Sequence, residues 1–408
     1  MSYQILTTDI LEEYILDIPQ IRKYLQEGHI EIDEIGDGNL NFVYRVTNEE
    51  TNKSLIVKQA VPYLRIAGEG FPLSRDRMSY EIRALKFYEE IAEGSVPKVY
   101  YADEDMSLVI MQNLSDEIIM RKGLIDRVYY PHFVEDISEF LAKSLFYSSS
   151  LYLSSSQKRE LVGRFNGNVE LCKLTEDFVF TNAFMDDETN DINPGLVDEA
   201  RELFVKDEFK KGVLRLKYIF MTQSDALLHG DLHTGSIMIS SENTFVIDPE
   251  FAFVGAFGFD IGALIANMIN SYISHTVTTK DEAYREWILD SIEQIYTLFH
   301  SKFLTLWSQH PNSALLKEGF ISDSELREFK EEFMSDIFTQ SIGFAGCKIA
   351  RRVFGIAGVE EIRGLGSRED RAKAERLALA IGERLVVEHR DIKSVERLIA
   401  TIQEEVSL

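Results

Sequence analysis

The chain has 408 residues, of which 45% are hydrophobic, so it can bury a large core, and its length favours two lobes or more. Its 43 basic and 68 acidic residues give a formal net charge of −25, which repels nucleic acids and anionic membrane surfaces. We therefore expect no nucleic-acid partner and no membrane partner.

Neither the cysteines nor the amino terminus has the pattern of a secreted protein. Cys172 and Cys347 are widely separated and form no ligand or redox motif, so we expect two buried, reduced thiols. Residues 1–16 contain acidic side chains and no sustained apolar core, which argues against a signal peptide. The most apolar window, residues 251–269, contains Asp260 and several glycines, so it predicts a loop and a buried helix, not a membrane span. These patterns favour a cytoplasmic location.

The amino-terminal part of the chain has the pattern of a small antiparallel sheet. A helical segment over 10–24, divided at Pro19, comes first. Further elements are predicted from alternating and amphipathic patterns: strands over 30–35, 41–46 and 54–59, a helix over 78–92, and strands over 98–101 and 107–111. Residues 113–115 are the predicted crossing into a second lobe, in which helices predominate from about Pro131. We therefore divide the chain into lobes at 1–113 and 114–408.

A glycine pair and a lysine in the first lobe suggest contacts to phosphate. Gly36 and Gly38 lie between two strands, where the backbone can approach phosphate oxygens, although such a pair is more often only a hairpin turn. Lys58 ends the third strand, where a kinase-like lobe carries the lysine that pairs with nucleotide phosphates. Glu81 on the next helix is its expected partner, with an exposed helical glutamate as the alternative.

The most informative segment is His229-Gly-Asp-Leu-His-Thr-Gly-Ser236, followed by Ile247-Asp-Pro-Glu250. Between them, the apolar runs 237–239 and 245–247 flank a turn, so a hairpin is expected to return Asp248 close to Asp231. Phosphoryl transfer needs one carboxylate near the acceptor hydroxyl and others that hold magnesium. Asp231 suits the first role, and Asp248 with Glu250 suits the second, because magnesium prefers oxygen ligands.

Other residues near these motifs have smaller predicted roles. Ser236 could contribute a hydroxyl to the metal or to the loop. His229 and His233 are expected to hold the loop through hydrogen bonds and not to act as acid or base. Asp260 precedes an apolar helix, which predicts a helix N-cap that also supports the catalytic loop.

These motifs together resemble the aminoglycoside phosphotransferase and choline kinase branch of the protein-kinase-like fold. The serine of the HGDLHTGS loop and the DPE triplet resemble, within it, the 5-methylthioribose kinases. Segments 36–42 and 68–76 and the pair Arg351 and Arg352 extend the resemblance over nearly the whole chain. The resemblance implies an α+β, bilobal fold, with an antiparallel-sheet N-lobe that binds nucleotide and a mainly helical C-lobe.

The resemblance also implies a set of site residues. Nucleotide-binding positions would be Gly36, Gly38, Asn39, Asn41, Lys58, Glu81, Gln112, Asn113 and Leu114. Residues 68–77 would form a flap over the acceptor, with Phe71 where the family has tryptophan. Arg351 and Arg352 would bind the acceptor or the transferring phosphate, although paired arginines near a helix end are by default solvated charge.

The activity that the resemblance implies is phosphorylation of 5-methylthioribose at its anomeric hydroxyl, with ATP and Mg²⁺ as cofactors, in a homodimer that serves methionine salvage. Two alternatives remain. One is a kinase for an aminoglycoside, choline or homoserine, for which residues 186–188 offer an acidic surface. The other is a nucleotide-binding pseudokinase, suggested by Ser236 and the absence of a DFG triplet.

Overall fold

The computed structural model of the chain describes residues 3–35, 40–63 and 70–407. Its first part is a five-stranded antiparallel sheet in the order β1-β2-β3-β5-β4. The strands are β1 (Ile30–Glu34), β2 (Asn41–Asn48), β3 (Ser54–Ala60), β4 (Val99–Asp103) and β5 (Leu108–Gln112). The helices of this part are α1 (Thr8–Leu16), α2 (Pro19–Leu25) and α3 (Arg77–Ile91). The five predicted strands are confirmed, and Pro19 starts a new helix as predicted.

The sheet separates two hydrophobic clusters. Leu55 and Val57 of β3 pack with the buried side chains of α1 and α2. Because side chains alternate along a strand, Lys58 points to the opposite face, towards α3. Lys58 pairs in register with Val43 on β2 and Val109 on β5, so it lies on a central strand.

The second part of the chain is mainly helical. Its helices are α4 (Met120–Ile125), α5 (Phe133–Tyr147), α6 (Ser155–Phe165), α7 (Val169–Phe178), α8 (Val197–Phe204), α9 (Asp207–Thr222), α10 (Gly258–Thr278), α11 (Glu282–Gln309), α12 (Asp323–Phe354), α13 (Glu360–Arg363), α14 (Arg368–Glu388) and α15 (Val395–Ser407). Its short strands are β6 (Ile118–Ile119), β7 (Ala226–Leu228), β8 (Ile237–Ile239), β9 (Thr244–Val246) and β10 (Phe253–Gly255). The predicted α+β class, with an antiparallel sheet before a mainly helical part, is confirmed.

The predicted hairpin after the HGDLHTGS loop is also confirmed. β8 and β9 pair antiparallel, with Met238 opposite Phe245, and the turn is closed by Ser240 N donating to Asn243 O at 3.0 Å. At the end of the hairpin, Ile247 N donates to Ser236 O at 3.0 Å. The hairpin therefore returns the chain directly to the loop from which it left.

The centre of the helical part is α10, which is buried from Gly258 to His275 and packs closely against α12. A Cβ on Gly262 would lie 2.4 Å from the carbonyl oxygen of Ser341 on α12, so only glycine permits this approach. The buried helix expected within residues 251–269 is therefore confirmed, and it continues to Thr278. Among the residues described, none of the helices is long and apolar enough to cross a membrane. The predicted burial of the thiols holds for Cys347, whereas Cys172 is half-buried; both are free.

Candidate active site

Lys58 lies at the centre of a charged cluster that joins the sheet to the helical part. Its Nζ donates to Glu81 Oε1 on α3 at 2.9 Å, and it also forms a short contact with Asp248 Oδ1. The Lys58 and Glu81 side chains are 5% and 0% exposed. Burial alone would lower the pKa of Lys58, but the negative charges of Asp248, Glu81 and Glu250 together raise it, so the ammonium stays charged. The predicted partnership of Lys58 with Glu81 is confirmed.

The loop that carries Asp231 is held by Asp260 and His229. The Asp260 carboxylate accepts from His229 N at 2.6 Å and from Gly230 N at 3.0 Å. His229 Nε2 contacts Ile247 O at 2.8 Å, while its Nδ1 accepts from Asp231 N at 3.2 Å, which requires the proton on Nε2. One imidazole thus fixes both the backbone before Asp248 and the backbone of Asp231.

The predicted support of the loop by Asp260 is confirmed, but its prediction as a helix N-cap is wrong. α10 begins at Gly258, two residues earlier, so Asp260 lies within the first turn of the helix. Its carboxylate instead accepts hydrogen bonds from the loop amides, because the close packing of the loop leaves these two donors without other partners.

Gly230 is the position of the loop that tolerates least change. Its φ is +84°, and an added Cβ would lie 2.1 Å from Phe251 O. We predict that Gly230→Ala lowers the melting temperature and turnover together, because it combines a strained backbone with a clash. Gly94 is a matched control, since its φ is also +84° but an added Cβ would meet nothing within 4 Å.

Differential scanning calorimetry of the two variants measures the predicted loss of stability. Gly94→Ala should cost about 1–2 kcal/mol of unfolding free energy, the ordinary cost of this backbone conformation. The clash should add to that cost in Gly230→Ala. Equal losses in the two variants would mean that the loop relaxes around the added methyl group.

Both carboxylate oxygens of Asp231 have a polar contact, one with an ammonium group and one with a neutral imidazole ring. Lys348 Nζ donates to Oδ1 at 3.0 Å, and His233 Nε2 lies 3.4 Å from Oδ2. Burial alone would raise the pKa of Asp231, but Lys348, His233 and Arg352 together hold it well below its ordinary value. The group is therefore a carboxylate near neutral pH, which can accept a hydrogen bond from an acceptor hydroxyl.

Ser236 and His233 close the loop on itself. The Ser236 hydroxyl donates to Asp231 O at 2.8 Å and accepts from His233 N at 3.0 Å. His233 Nδ1 accepts from Gly235 N at 2.9 Å, and burial lowers the pKa of His233 to about 4, so the ring is neutral near pH 7. The predicted hydrogen-bonding role of both histidines is confirmed. In this arrangement the Ser236 hydroxyl contacts loop atoms, and its role as a metal ligand stays a prediction.

Asp248 and Glu250 supply the two carboxylates expected for a metal. Asp248 has left-handed backbone angles, φ 61° and ψ 46°, and its side chain is 49% exposed. Burial would raise the pKa of Asp248, but Lys58 lowers it. Glu250 is buried, and its Oε2 accepts from Asn41 Nδ2 at 3.0 Å. A half-exposed carboxylate and a buried one on the same short turn suit a hard cation with a partial water shell.

The remaining predicted residues form three groups, which are the arginine pair, Phe71 and the other nucleotide-binding positions. Arg351 and Arg352 lie on the last turn of α12, with Arg351 6% exposed and Arg352 Nη1 donating to Ala357 O at 2.7 Å. Phe71 is 39% exposed in the segment before α3. Of the other predicted nucleotide-binding positions, Gln112 N donates to Lys98 O, Asn113 Nδ2 donates to Ser54 Oγ, and Leu114 is buried. Gly36, Gly38 and Asn39 lie outside the described residues.

Comparison with known proteins gives the family. The model of the phosphotransferase enzyme family matches residues 31–290. A methylthioribose kinase from Geobacillus sp. (strain WCH70) is 40% identical over 366 residues, 90% of this chain and 88% of that protein. This chain belongs to the methylthioribose kinase family. Methylthioribose kinase 1 from Oryza sativa subsp. japonica is 39% identical, and the alignment covers 91% of this chain and 88% of that protein. A methylthioribose kinase from Bacillus cereus (strain B4264) is 38% identical, and the alignment covers 100% of this chain and 99% of that protein.

Membership of the methylthioribose kinase family confirms the bilobal, protein-kinase-like fold that the motifs predicted. The match to the phosphotransferase model ends at residue 290, so it contains Lys58, Asp231 and Asp248 but not the arginine pair. The alignment with the Bacillus cereus methylthioribose kinase spans the whole chain, including α12. The two arginines therefore lie within the region shared with this family.

Sequence reasoning missed three side chains in the site. Lys348 contacts Asp231, and Arg121 lies 3.3 Å from Glu361 through its Nε. Arg77 donates to Asn41 Oδ1 at 3.1 Å through Nε and lies 3.6 Å from Glu250. One feature of the sequence could have indicated Lys348. It is the single charged residue in a run of small and apolar residues, 343–350, that ends just before Arg351.

Proposed function

We propose that this chain transfers the γ-phosphoryl group of ATP to the anomeric hydroxyl of 5-methylthioribose, giving 5-methylthioribose 1-phosphate in methionine salvage. The observation that carries the proposal is its similarity, over nearly its whole length, to proteins named methylthioribose kinase. The geometry around Asp231 and Lys58 supports it, because both charged groups of a kinase site are present, with Lys58 buried and Asp231 half-buried.

The nucleotide side of the proposed site is centred on Lys58. Its ammonium, held by Glu81, would pair with ATP phosphates, and Asp248, Glu250 and Ser236 would hold Mg²⁺. Bound magnesium supplies charge neutralisation for the transferred group. The protein's own contribution is to keep Lys58 charged and to hold the two carboxylates on a short, rigid turn after β9.

The remaining nucleotide contacts are proposed for the glycine pair with its neighbour Asn39 and for residues 112–114 at the end of β5. Gly36, Gly38 and Asn39 would follow the phosphates, and Gln112, Asn113 and Leu114 would contact the base mainly through backbone groups. Asn41 supports the proposal indirectly, because its side chain donates to Glu250 and accepts from Arg77, and so connects β2 to the metal-binding turn.

The acceptor side is centred on Asp231. Its carboxylate would accept a hydrogen bond from the attacking hydroxyl and take its proton late in the transfer, when the bond between the γ-phosphoryl group and the leaving ADP is largely broken. Arg351 and Arg352 would hold the sugar or the developing phosphate. Buried Arg351 supports this role, since its Nε has no hydrogen-bond partner among the described residues. Phe71 would cover the apolar thioether end of the acceptor.

An assay of ADP release over a panel of acceptors tests the proposed function. The panel contains 5-methylthioribose, ribose, an aminoglycoside, choline and homoserine, each with ATP and Mg²⁺. We expect turnover with 5-methylthioribose only. Turnover with another member would change the acceptor, and nucleotide binding without turnover on any of them would favour the pseudokinase alternative.

We predict that Asp248→Ala weakens both magnesium-dependent nucleotide binding and turnover, because the variant lacks a directly coordinating carboxylate. Loss of a ligand should cost at least as much as loss of its supporting residues, which is about 10- to 100-fold in metal affinity. Glu81 remains to neutralise Lys58, so the variant should fold. The measurement is a magnesium titration of nucleotide binding, with the exposed Asp290→Ala as control. An unchanged titration would remove Asp248 from the metal site.

The family resemblance also supports a homodimer in the cytoplasm and a division into an N-lobe of residues 1–113 and a C-lobe of 114–408. Sedimentation velocity at several concentrations tests the dimer, because a reversible dimer gives a concentration-dependent sedimentation coefficient. A single species of 46.8 kDa at all concentrations would contradict it.

A further inference from the structure

Lys348 is a buried lysine that the proposed mechanism does not use. It lies on α12, one turn before Arg351, and its side chain is 4% exposed. Lysine is almost never fully buried unless it is paired. Its hydrogen bond in the described structure goes from Nζ to Asp231 Oδ1 at 3.0 Å, and the two residues are 117 positions apart in the chain.

The lysine is confined on its other side by an aromatic ring. Nζ lies 4.8 Å from the centroid of Phe259, which belongs to the first turn of α10. The neighbouring Gly258 and Gly262 allow α10 to approach α12 so closely, since a Cβ on either would lie within 3 Å of the backbone of Ser341. The ammonium therefore lies between the Asp231 carboxylate and the first turn of α10.

Asp231 in turn depends on Lys348 for its orientation. Among the described residues, the other polar contact of its carboxylate is the longer one between Oδ2 and His233 Nε2, 3.4 Å. Burial lowers the pKa of Lys348, and Asp231 opposes that shift, while Lys348 helps to keep Asp231 ionised. The short contact to Oδ1 comes from α12, which is the helix that also carries the arginine pair.

We infer that Lys348 is a positioning residue for phosphoryl transfer. Its ammonium fixes Asp231 through Oδ1, so that Oδ2 is directed at the acceptor hydroxyl, and it ties the orientation of Asp231 to the helix that carries Arg351 and Arg352. The inference rests on the proposed function of Asp231. It assigns to Lys348 no contact with substrate.

The test is a set of variants measured with ATP and 5-methylthioribose. Lys348→Met keeps the length of the side chain and removes its charge. We expect turnover to fall about 100-fold, the effect of a misplacement near 1 Å, with the KM for ATP changed less than about twofold. Lys348→Ala should recover part of its turnover when ethylammonium is added, whereas tetramethylammonium, which cannot donate a hydrogen bond, should not restore it.

Lys158→Met is the matched control. Lys158 is also buried, but its Nζ donates to the backbone carbonyls of Ser148 and Asp225, away from Asp231. This variant should lose stability and keep the turnover of its folded fraction. If Lys348→Met does not fold, Lys348→Gln, which can still donate to Asp231, gives the comparison, and we expect a fall of about tenfold for the lost charge-assisted bond.

A double-mutant cycle separates positioning from general damage. In an Asp231→Asn background, Lys348→Met should have little further effect, because the group that it positions is already disabled. The inference is overturned if Lys348→Met or Lys348→Gln keeps turnover within threefold of wild type, or if the loss is equal in both backgrounds. Failure of the proposed function is distinct, since wild type itself would then not turn over 5-methylthioribose.

Discussion

Replacing Asp231 with Asn is expected to remove most turnover while ATP affinity stays nearly intact. The amide keeps the shape of the carboxylate but cannot take the proton of the acceptor hydroxyl. A positioned general base contributes about 100- to 10,000-fold to rate, which sets the expected loss. ATP should still bind, because Lys58 and Glu81 form a separate ion pair on the sheet side.

Steady-state ADP release and nucleotide titration measure the two parts of this prediction. Asp198→Asn is a suitable control, because the Asp198 side chain is 89% exposed and its ion pair in the described part of the chain is with the exposed, neighbouring Arg201. Lys348 would lose its counter-charge in Asp231→Asn, so a lower melting temperature is expected as well. Loss of nucleotide binding with normal residual turnover would contradict the role of Asp231.

Replacing Arg351 or Arg352 with Lys should lower turnover strongly although the charge is kept. A lysine is a point charge and cannot reproduce the forked contacts of a guanidinium group. An arginine that stabilises a transferring phosphoryl group is worth roughly a thousandfold or more in rate. An exposed arginine with a surface role would change stability by well under about 1 kcal/mol.

The structure gives a matched comparison for these variants. Arg201 is 74% exposed, and Arg201→Lys should leave both turnover and stability unchanged. Arg351 is only 6% exposed, so Arg351→Lys should lower turnover, as expected for a residue that binds a ligand. If both Arg351→Lys and Arg352→Lys kept near-normal turnover and stability, the pair would be ordinary charge, and the acceptor site would have to be sought around Phe71.

Most of the catalytic loop could be predicted because the residues that determine its structure are close together in the sequence. Asp231 and Asp248 are 17 positions apart with a hairpin between them, and a hairpin brings its ends together by geometry alone. Lys58 and Glu81 were predicted from a strand followed by a helix, which is also a short-range pattern. In each case the secondary structure between the two residues fixed their relation in space.

The N-cap prediction for Asp260 was wrong because the partners of this residue are distant in the sequence. An aspartate just before an apolar helix is usually read as an N-cap, and nothing in the nearby sequence shows that the helix begins earlier. The partners that decide its role are the amides of His229 and Gly230, about 30 positions away. Asn41 and Arg77 are similar, since their contacts with Glu250 join segments far apart in the chain.

The sequence by itself determined the class of chemistry, the family and the order of elements, because motifs and periodicity depend on neighbouring residues. The tertiary structure alone decided that Lys348 contacts Asp231. That contact needs α10 and α12 to pack within the distance that Gly258 and Gly262 allow. Packing of this kind depends on the whole core closing at once, and it therefore leaves little trace in the residues on either side of Lys348.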